Sequence, residues 1–134
     1  MQIEELINLS KEARKLSYSP YSNFAVGAAL LTKDGKVFKG ANIENSSYPL
    51  SMCAERNAIY NAMMNGYKKE DFIALALCAD TDKPCSPCGA CRQVMYELLP
   101  LDCPIYMTNL KGDIEKSSVK ELLPNAFTEK DLNK

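Results

Sequence analysis

The sequence predicts an α/β protein with three α/β/α layers built around a mixed five-stranded sheet. Apolar runs at residues 24–32 and 37–42 flank a turn motif, and this pattern predicts an antiparallel hairpin. Residues 72–109 have the pattern of a strand, a helix and a second strand, and such a unit pairs its strands in parallel. An amphipathic segment near the start of the chain supplies a helix to cover one sheet face.

The first helix is predicted from apolar residues at helical spacing. These residues are Ile3, Leu6, Ile7, Leu9, Ala13 and Leu16. The helix should end before Ser19-Pro20, because the residue before a proline resists helical geometry. After the hairpin, the polar segment 42–49 leads into a second helix that opens at Cys53, with Ser51 as a candidate cap. Composition alone favours an ordinary connecting loop for this polar segment.

The second half of the chain predicts a buried strand at residues 72–79, a helix at 88–99 and a strand at 104–109. Ser86 is a good helix cap and Pro87 is favoured at the first helical position, so this helix should begin there. An open sheet of this kind binds ligands beyond the carboxyl ends of its strands. We therefore expect the functional site at the start of this helix.

The C-terminal part predicts a turn at residues 110–113, a short fifth strand around Ile114 and a helical region through Leu122 and Leu123. The chain contains no internal repeat, low-complexity tract or linker. We therefore expect residues 1–134 to form a single domain.

Composition argues against several classes of function. The net charge is −1 and the basic residues are scattered, so binding to a nucleic acid polymer is not indicated. No segment approaches the roughly 18 apolar residues that span a bilayer, and the N-terminal region is acidic rather than basic, so we expect a cytoplasmic protein without a membrane partner. In a reducing compartment, six cysteines indicate metal binding rather than disulfides, and Cys78 and Cys103 are expected in the core.

Three cysteines have the spacing of a zinc site. Cys88 and Cys91 are three residues apart on a predicted helix, so both sulfurs can reach one cation. Cys53 opens the other predicted helix, and a helix N-terminus favours thiolate over thiol. Three protein ligands leave the fourth tetrahedral position open, as in a catalytic zinc site. Glu55 is then free to transfer protons.

Other interpretations of these residues stay open from the pattern alone. Cys85 would complete a closed structural site of four thiolates. An iron–sulfur cluster is disfavoured, because the run after Cys91 lacks the Cys-Pro that such a cluster requires. A lone glutamate such as Glu55 is usually a solvated surface residue, and only its place between ligand-bearing helix starts favours catalysis.

The cysteine motifs resemble those of the small, homotetrameric zinc-dependent cytidine deaminases of nucleoside salvage. The resemblance is carried by Cys-Ala-Glu-Arg at residues 53–56 and Pro-Cys-Gly-Ala-Cys-Arg-Gln at residues 87–93. Further similar segments lie at residues 18–27, 42–45 and 121–127. The chain departs from the family pattern at Asn57, where threonine is common, and at the additional Cys85. The resemblance implies a cytidine deaminase-like fold and a homotetramer whose sites are shared between subunits.

The resemblance also implies a reaction. One zinc ion per chain, held by Cys53, Cys88 and Cys91, would activate water for attack on C4 of cytosine. Glu55 would carry protons to N3 and to the departing amine. The substrates implied are cytidine and deoxycytidine, and the products are ammonia with uridine or deoxyuridine.

Several substrate contacts follow from the same resemblance. Asn42 and Glu44 match positions that hydrogen-bond the ribose hydroxyls, and the Ala54 N–H matches the donor to the pyrimidine O2. Ser46 and Tyr48 match residues offered across a subunit boundary.

Two aromatic residues complete the implied substrate site. Phe127 matches an aromatic that a neighbouring subunit presents to the pyrimidine ring, and Phe24 is the second candidate. Composition alone favours a core position for both.

Charge counting assigns a role to Arg56. Zn²⁺ with three thiolates sums to a net charge of −1, and this chain has no histidine to reduce the excess. Arg56 lies three residues after Cys53 on the same helical face, where it can donate to the ligand sulfur. Arg92 is a less well-placed competitor.

Two alternative functions remain from the sequence. One is deamination of a related cytosine nucleoside antibiotic such as blasticidin S. The other, from a different class, is a structural zinc module without enzymatic activity that binds a protein partner.

Overall fold

A computed structural model describes residues 1–132 and confirms the mixed five-stranded sheet. The strands are β1 Val26–Thr32, β2 Val37–Ala41, β3 Phe72–Ala79, β4 Pro104–Asn109 and β5 Ile114–Ser118, and the α-helices are α1 Ile3–Ala13, α2 Ala54–Met64, α3 Gly89–Leu98 and α4 Val119–Leu122. The strand order is β2-β1-β3-β4-β5. β3 and β4 are parallel, as predicted for a strand–helix–strand unit, and the other neighbouring pairs are antiparallel.

The helices cover both faces of the sheet, which confirms the three layers. On one face α1 packs against β1 and β3, with Leu6 in a small apolar cluster that includes Ala29 and Ala76. On the other face α2 and α3 contribute to the larger core, in which Met95 packs with Leu75 and other buried strand residues. Because side chains alternate along a strand, β1 and β3 supply residues to both clusters.

Two glycines let helices approach the sheet closely. A Cβ at Gly27 would lie 2.1 Å from the carbonyl oxygen of Ser10 in α1, and a Cβ at Gly40 would lie 2.3 Å from that of Ala54 in α2. Both distances are far below van der Waals contact, so a side chain at either position would displace a helix. Gly40 therefore sets the position of the first residue of α2.

Both metal-site helices begin at a cysteine, so two predicted caps are wrong. Cys88 is the N-cap of α3, and its carbonyl accepts the N–H of Arg92 at 3.0 Å. Ser86 lies outside the helix, and its hydroxyl accepts a hydrogen bond from the Arg92 side chain instead of capping the helix. Likewise Cys53 caps α2, while the Ser51 hydroxyl accepts the N–H of a loop residue instead.

The predicted hairpin forms, and its strands are slightly shorter than expected. β1 begins at Val26 rather than at residue 24, and β2 ends at Ala41. Gly35 has a φ of 86°, the left-handed conformation that this tight turn requires. Cys78 and Cys103 are buried, as expected for core thiols. In the part of the chain that the structure describes, no helix has the length and apolar character needed to cross a bilayer.

Candidate metal centre

Three cysteine sulfurs converge where α2 and α3 begin. Cys53 and Cys88 are the N-caps of the two helices and Cys91 lies in the first turn of α3. Their Sγ atoms all lie within 4.8 Å of one another, and those of Cys53 and Cys88 are 3.8 Å apart. Within residues 1–132 this is the one group of three or more metal-ligating side chains, and Cys85 is not part of it.

The cluster fits a zinc ion. Tetrahedral zinc with Zn–S bonds of about 2.3 Å places two sulfurs about 3.8 Å apart, which matches the separation of Cys53 and Cys88. All three donors are sulfur, and cysteine thiolate is one of the protein ligands that bind zinc. With Cys85 outside the cluster, the donor set is that of an open site rather than a closed four-cysteine site.

The sulfur atoms are unequal before any metal binds. A hydrogen bond from Cys91, supported by one from Arg56, lowers the pKa of the Cys53 thiol to about 5. Donating that bond, together with burial, raises the pKa of Cys91. The site therefore holds one ready thiolate, and metal binding must release the remaining protons.

Arg56 contacts the cluster as predicted. Its Nη2 atom donates to Sγ of Cys53 at 3.2 Å, and this contact raises the pKa of the guanidinium. The Nε atom of Arg56 is buried without a hydrogen-bond partner among residues 1–132. A fixed cation therefore lies against one thiolate, as the charge count requires.

Arg92, the competitor, does not donate to sulfur. Its Nε atom donates to the carbonyl of Pro87 at 2.8 Å, and its Nη1 atom donates to the carbonyl of Leu122 at 2.9 Å. Its Nη2 atom donates to the hydroxyl of Ser86. Arg92 therefore joins the loop before Cys88 to the C-terminal segment.

Glu55 lies beside the cluster in the first turn of α2 and is only 4% exposed. Burial, which disfavours the charged carboxylate, raises its pKa to about 7. A carboxyl group that gains and loses a proton near neutrality is suited to general acid–base catalysis. Glu55 thus departs from the solvated surface position that is usual for a lone glutamate.

The two predicted sugar-binding residues are engaged with their own chain. Asn42 donates from Nδ2 to the Phe24 carbonyl at 2.7 Å, and its Oδ1 atom accepts the Val26 N–H at 2.9 Å. Glu44 accepts three hydrogen bonds from Tyr21 and Ser22. The polar segment therefore anchors residues 21–26 in front of β1.

The remaining predicted substrate residues lie mostly at the surface. Ser46, Tyr48 and Phe24 are exposed, so Phe24 is not the core aromatic that composition favours. Ala54 is fully buried as the first residue of α2, where its N–H lacks an acceptor within the helix.

Phe127 is 57% exposed. Its carbonyl accepts a hydrogen bond of 2.8 Å from Nε2 of Gln93 in α3. The residue lines a surface pocket of about 380 Å³ with Tyr96 and Thr128, and no cysteine lines that pocket.

Sequence reasoning named Arg92 only as a candidate charge partner and missed the anchoring role of three residues that hold these segments in place. Ser22, Arg92 and Gln93 each bond to a partner at least 22 residues away along the chain. The only signal for them was their position inside the segments that carry the family resemblance.

Comparison with known proteins gives consistent matches. The model of the family described as "Cytidine and deoxycytidylate deaminase zinc-binding region" matches residues 1–107. A cytidine deaminase from Halalkalibacterium halodurans is 54% identical over 133 residues, which cover 99% of each chain. A blasticidin-S deaminase from Bacillus cereus is more distant, at 31% identity over 92% of this chain and 91% of that protein.

A solved structure agrees with these sequence matches. The crystal structure of cytidine deaminase from Burkholderia pseudomallei superposes with a TM-score of 0.93 and 50% identity, covering 95% of this chain and all of that one. Together with the three-sulfur cluster, these matches show that the chain belongs to the zinc-binding family of cytidine and deoxycytidylate deaminases.

Proposed function

We propose that this chain catalyses the zinc-dependent hydrolytic deamination of cytidine and deoxycytidine. The observation that carries the proposal is the buried Glu55, with its raised pKa, beside the three-sulfur cluster of Cys53, Cys88 and Cys91. The high identity to a named cytidine deaminase over nearly the full chain supports the same substrate class.

The proposed chemistry assigns each group one task. When bound by the three cysteines, zinc supplies Lewis acidity that makes water a nucleophile near neutral pH. Glu55 accepts a proton from the attacking water and delivers protons to N3 and to the amine. A C–O bond forms at C4, the C–N bond breaks, and ammonia leaves as the uracil nucleoside is produced.

The proposed substrate contacts come from the first residue of α2 and from the segment between β2 and α2. The N–H of Ala54 binds the pyrimidine O2, and its place at the start of α2, where it lacks an acceptor within the helix, supports this assignment. Asn42 and Glu44 bind ribose hydroxyls with the hydrogen-bonding capacity left after their contacts to residues 21–26.

We further propose a homotetramer in which Ser46, Tyr48 and Phe127 contribute to neighbouring sites. Their exposure, and a surface pocket at Phe127 that no cysteine lines, support a role in another subunit. We also propose a single domain over residues 1–134 that works in cytoplasmic nucleoside salvage. All six cysteines are free, which agrees with a reducing compartment.

The first test is release of ammonia from cytidine by purified, zinc-loaded protein. Removing a ligand with Cys53→Ala should abolish zinc binding and turnover, whereas Cys85→Ala should leave both largely intact. Zinc content and ammonia are measured on the same samples. If Cys85→Ala empties the site while Cys53→Ala leaves it full, the ligand assignment is wrong; if zinc-loaded protein releases ammonia only from blasticidin S, the antibiotic deaminase is correct.

The shared site is tested by mixing two inactive variants. Glu55→Gln removes the proton carrier from its own site, and Phe127→Ala removes the aromatic from a neighbour's site. Subunit exchange between them should regenerate some intact sites and therefore some activity. Mixtures no more active than the separate variants would show that each chain builds its site alone.

A further inference from the structure

The Glu44 carboxylate is held by a small loop that precedes β1. Its Oε1 atom accepts the backbone N–H groups of Tyr21 and Ser22, each at 3.1 Å, and its Oε2 atom accepts the hydroxyl of Ser22. The Ser22 bond also contributes most to lowering the pKa of Glu44. The carboxylate therefore stays ionised and is held by three donors.

The Ser22 hydroxyl has a second partner that fixes its direction. It accepts the backbone N–H of Phe24 at 3.0 Å. Between them Asn23 adopts a φ of 56°, a left-handed conformation that asparagine tolerates better than most residues. Because the Phe24 N–H occupies one lone pair of the hydroxyl, the hydroxyl proton is directed at Glu44.

The same loop is tied from the other side by Asn42. Its Nδ2 atom donates to the Phe24 carbonyl, so the two backbone polar groups of Phe24 are bonded to Ser22 and to Asn42. A carboxylate offers about four acceptor sites, and three on Glu44 are used within the chain. These three hydrogen bonds fix the orientation of the carboxylate and therefore the direction in which its remaining lone pair points.

We propose that Ser22 is a positioning residue for the sugar of the nucleoside. It rotates the Glu44 carboxylate so that the acceptor left free faces a ribose hydroxyl. The inference rests on the proposed function, in which Glu44 binds the ribose. Ser22 itself touches neither the substrate nor the reacting atoms.

The distinguishing measurement is dependence on the sugar hydroxyl. Steady-state kinetics are compared for cytidine, 2′-deoxycytidine and 3′-deoxycytidine with the parent, Ser22→Ala and Glu44→Gln. Ser22→Ala should raise KM for cytidine roughly tenfold, the scale of one charge-assisted hydrogen bond, with kcat within about twofold. The ratio of the Ser22→Ala KM to the parent KM should approach one for the analogue that lacks the hydroxyl bound by Glu44.

Two matched variants separate positioning from loop stability. Ser22→Thr keeps the hydroxyl and should restore most of the parent KM. Ser19→Ala, in the same loop, removes a hydroxyl whose one side-chain hydrogen bond within residues 1–132 comes from Ser17, and should leave KM unchanged. Zinc content and thermal unfolding are measured for each variant.

The kinetic results separate the role of Ser22 from the ribose contact of Glu44. A Ser22→Ala penalty equal for all three nucleosides, with a hydroxyl-dependent penalty for Glu44→Gln, overturns the role of Ser22 and leaves the proposed function standing. Penalties independent of the hydroxyl in both variants overturn the ribose assignment of Glu44 as well. A Ser22→Thr variant as impaired as Ser22→Ala shows that the hydroxyl is not the group that acts.

Discussion

On one face of the sheet α1 lies against Gly27, and on the other face α2 lies against Gly40. In both places a helix backbone contacts a strand where the side chain is missing. The buried polar side chains of the two helices differ. Ser10 in α1 donates to a carbonyl of its own helix, whereas Glu55 in α2 is buried with a raised pKa.

This contrast shows which face of the sheet carries the functional groups. Close packing alone does not distinguish the two faces, because both have it. The α2 face differs because it buries the Glu55 carboxyl group, which costs free energy. This carboxyl group lies beside the Arg56 cation and the three cysteine sulfurs. Three pairs of variants test this distinction, and each pair has one variant on the α1 face and one on the α2 face.

The largest effect is expected for the buried polar pair. Glu55→Gln should lower kcat by about 10²–10⁴, because the amide cannot carry protons, while zinc content and fold are retained. Ser10→Ala removes only a bond within α1 and should leave kcat unchanged. Ammonia release and zinc analysis check both variants, and Glu55→Gln activity within tenfold of the parent would contradict the assignment.

The next effect concerns two arginines. Arg56→Gln removes the cation beside Cys53, so a centre with net negative charge ionises its water less readily. Turnover should fall by about tenfold to a hundredfold, the scale of a hydrogen bond to a charged group. The acidic limb of the pH–rate profile should move to higher pH, because the bound water then ionises only at a higher pH.

Arg14 is the matched control for this prediction. It lies just after α1 and donates from Nε to the Ala25 carbonyl at 3.1 Å, away from sulfur. Arg14→Gln should therefore leave the acidic limb in place. An unshifted limb in Arg56→Gln would show that the charge is offset elsewhere. Cys53→His added to Arg56→Gln should recover part of the loss by removing one thiolate charge.

The smallest effect is expected for the two glycines. Gly27→Ala and Gly40→Ala each overpack a helix against a strand and should lower the free energy of unfolding by about 1–3 kcal/mol. Only Gly40→Ala displaces the start of α2, so only it should also weaken zinc retention. Urea denaturation and competition with a chelator measure the two properties. Equal loss of zinc in both variants would remove the distinction between the faces.

Much of the fold was predictable because its strands are defined by local pattern. The bounds of β3 and β4 match the predicted ranges, and the hairpin forms at the predicted turn. The helix starts were less predictable. Ser86 and Pro87 have the local chemistry of a cap, but the Arg92 side chain bonds to both, and no local rule includes that contact.

The functional site likewise has a part that local pattern predicts and a part that depends on contacts distant in the chain. Cys88 and Cys91 share one helix start, so their spacing was sufficient, and the motif around Cys53 supplied the third sulfur. The contacts of Asn42 and Glu44 with residues 21–26 were not predicted, because they span 16 to 23 residues of chain. Pairings of this kind depend on how β1 and β2 fold back on each other.

The three hydrogen bonds of Arg92 have a consequence for how this protein can vary. Two of its acceptors, at Pro87 and Leu122, are main-chain carbonyls, which every amino acid possesses. The link between the loop before Cys88 and the C-terminal segment therefore does not depend on which side chain stands at position 122. Under the role proposed for Phe127, substitutions in its segment can alter what is presented to a substrate while the anchor to the loop before Cys88 persists. The C-terminal segment is accordingly a suitable place to diversify substrate preference, in evolution or by design.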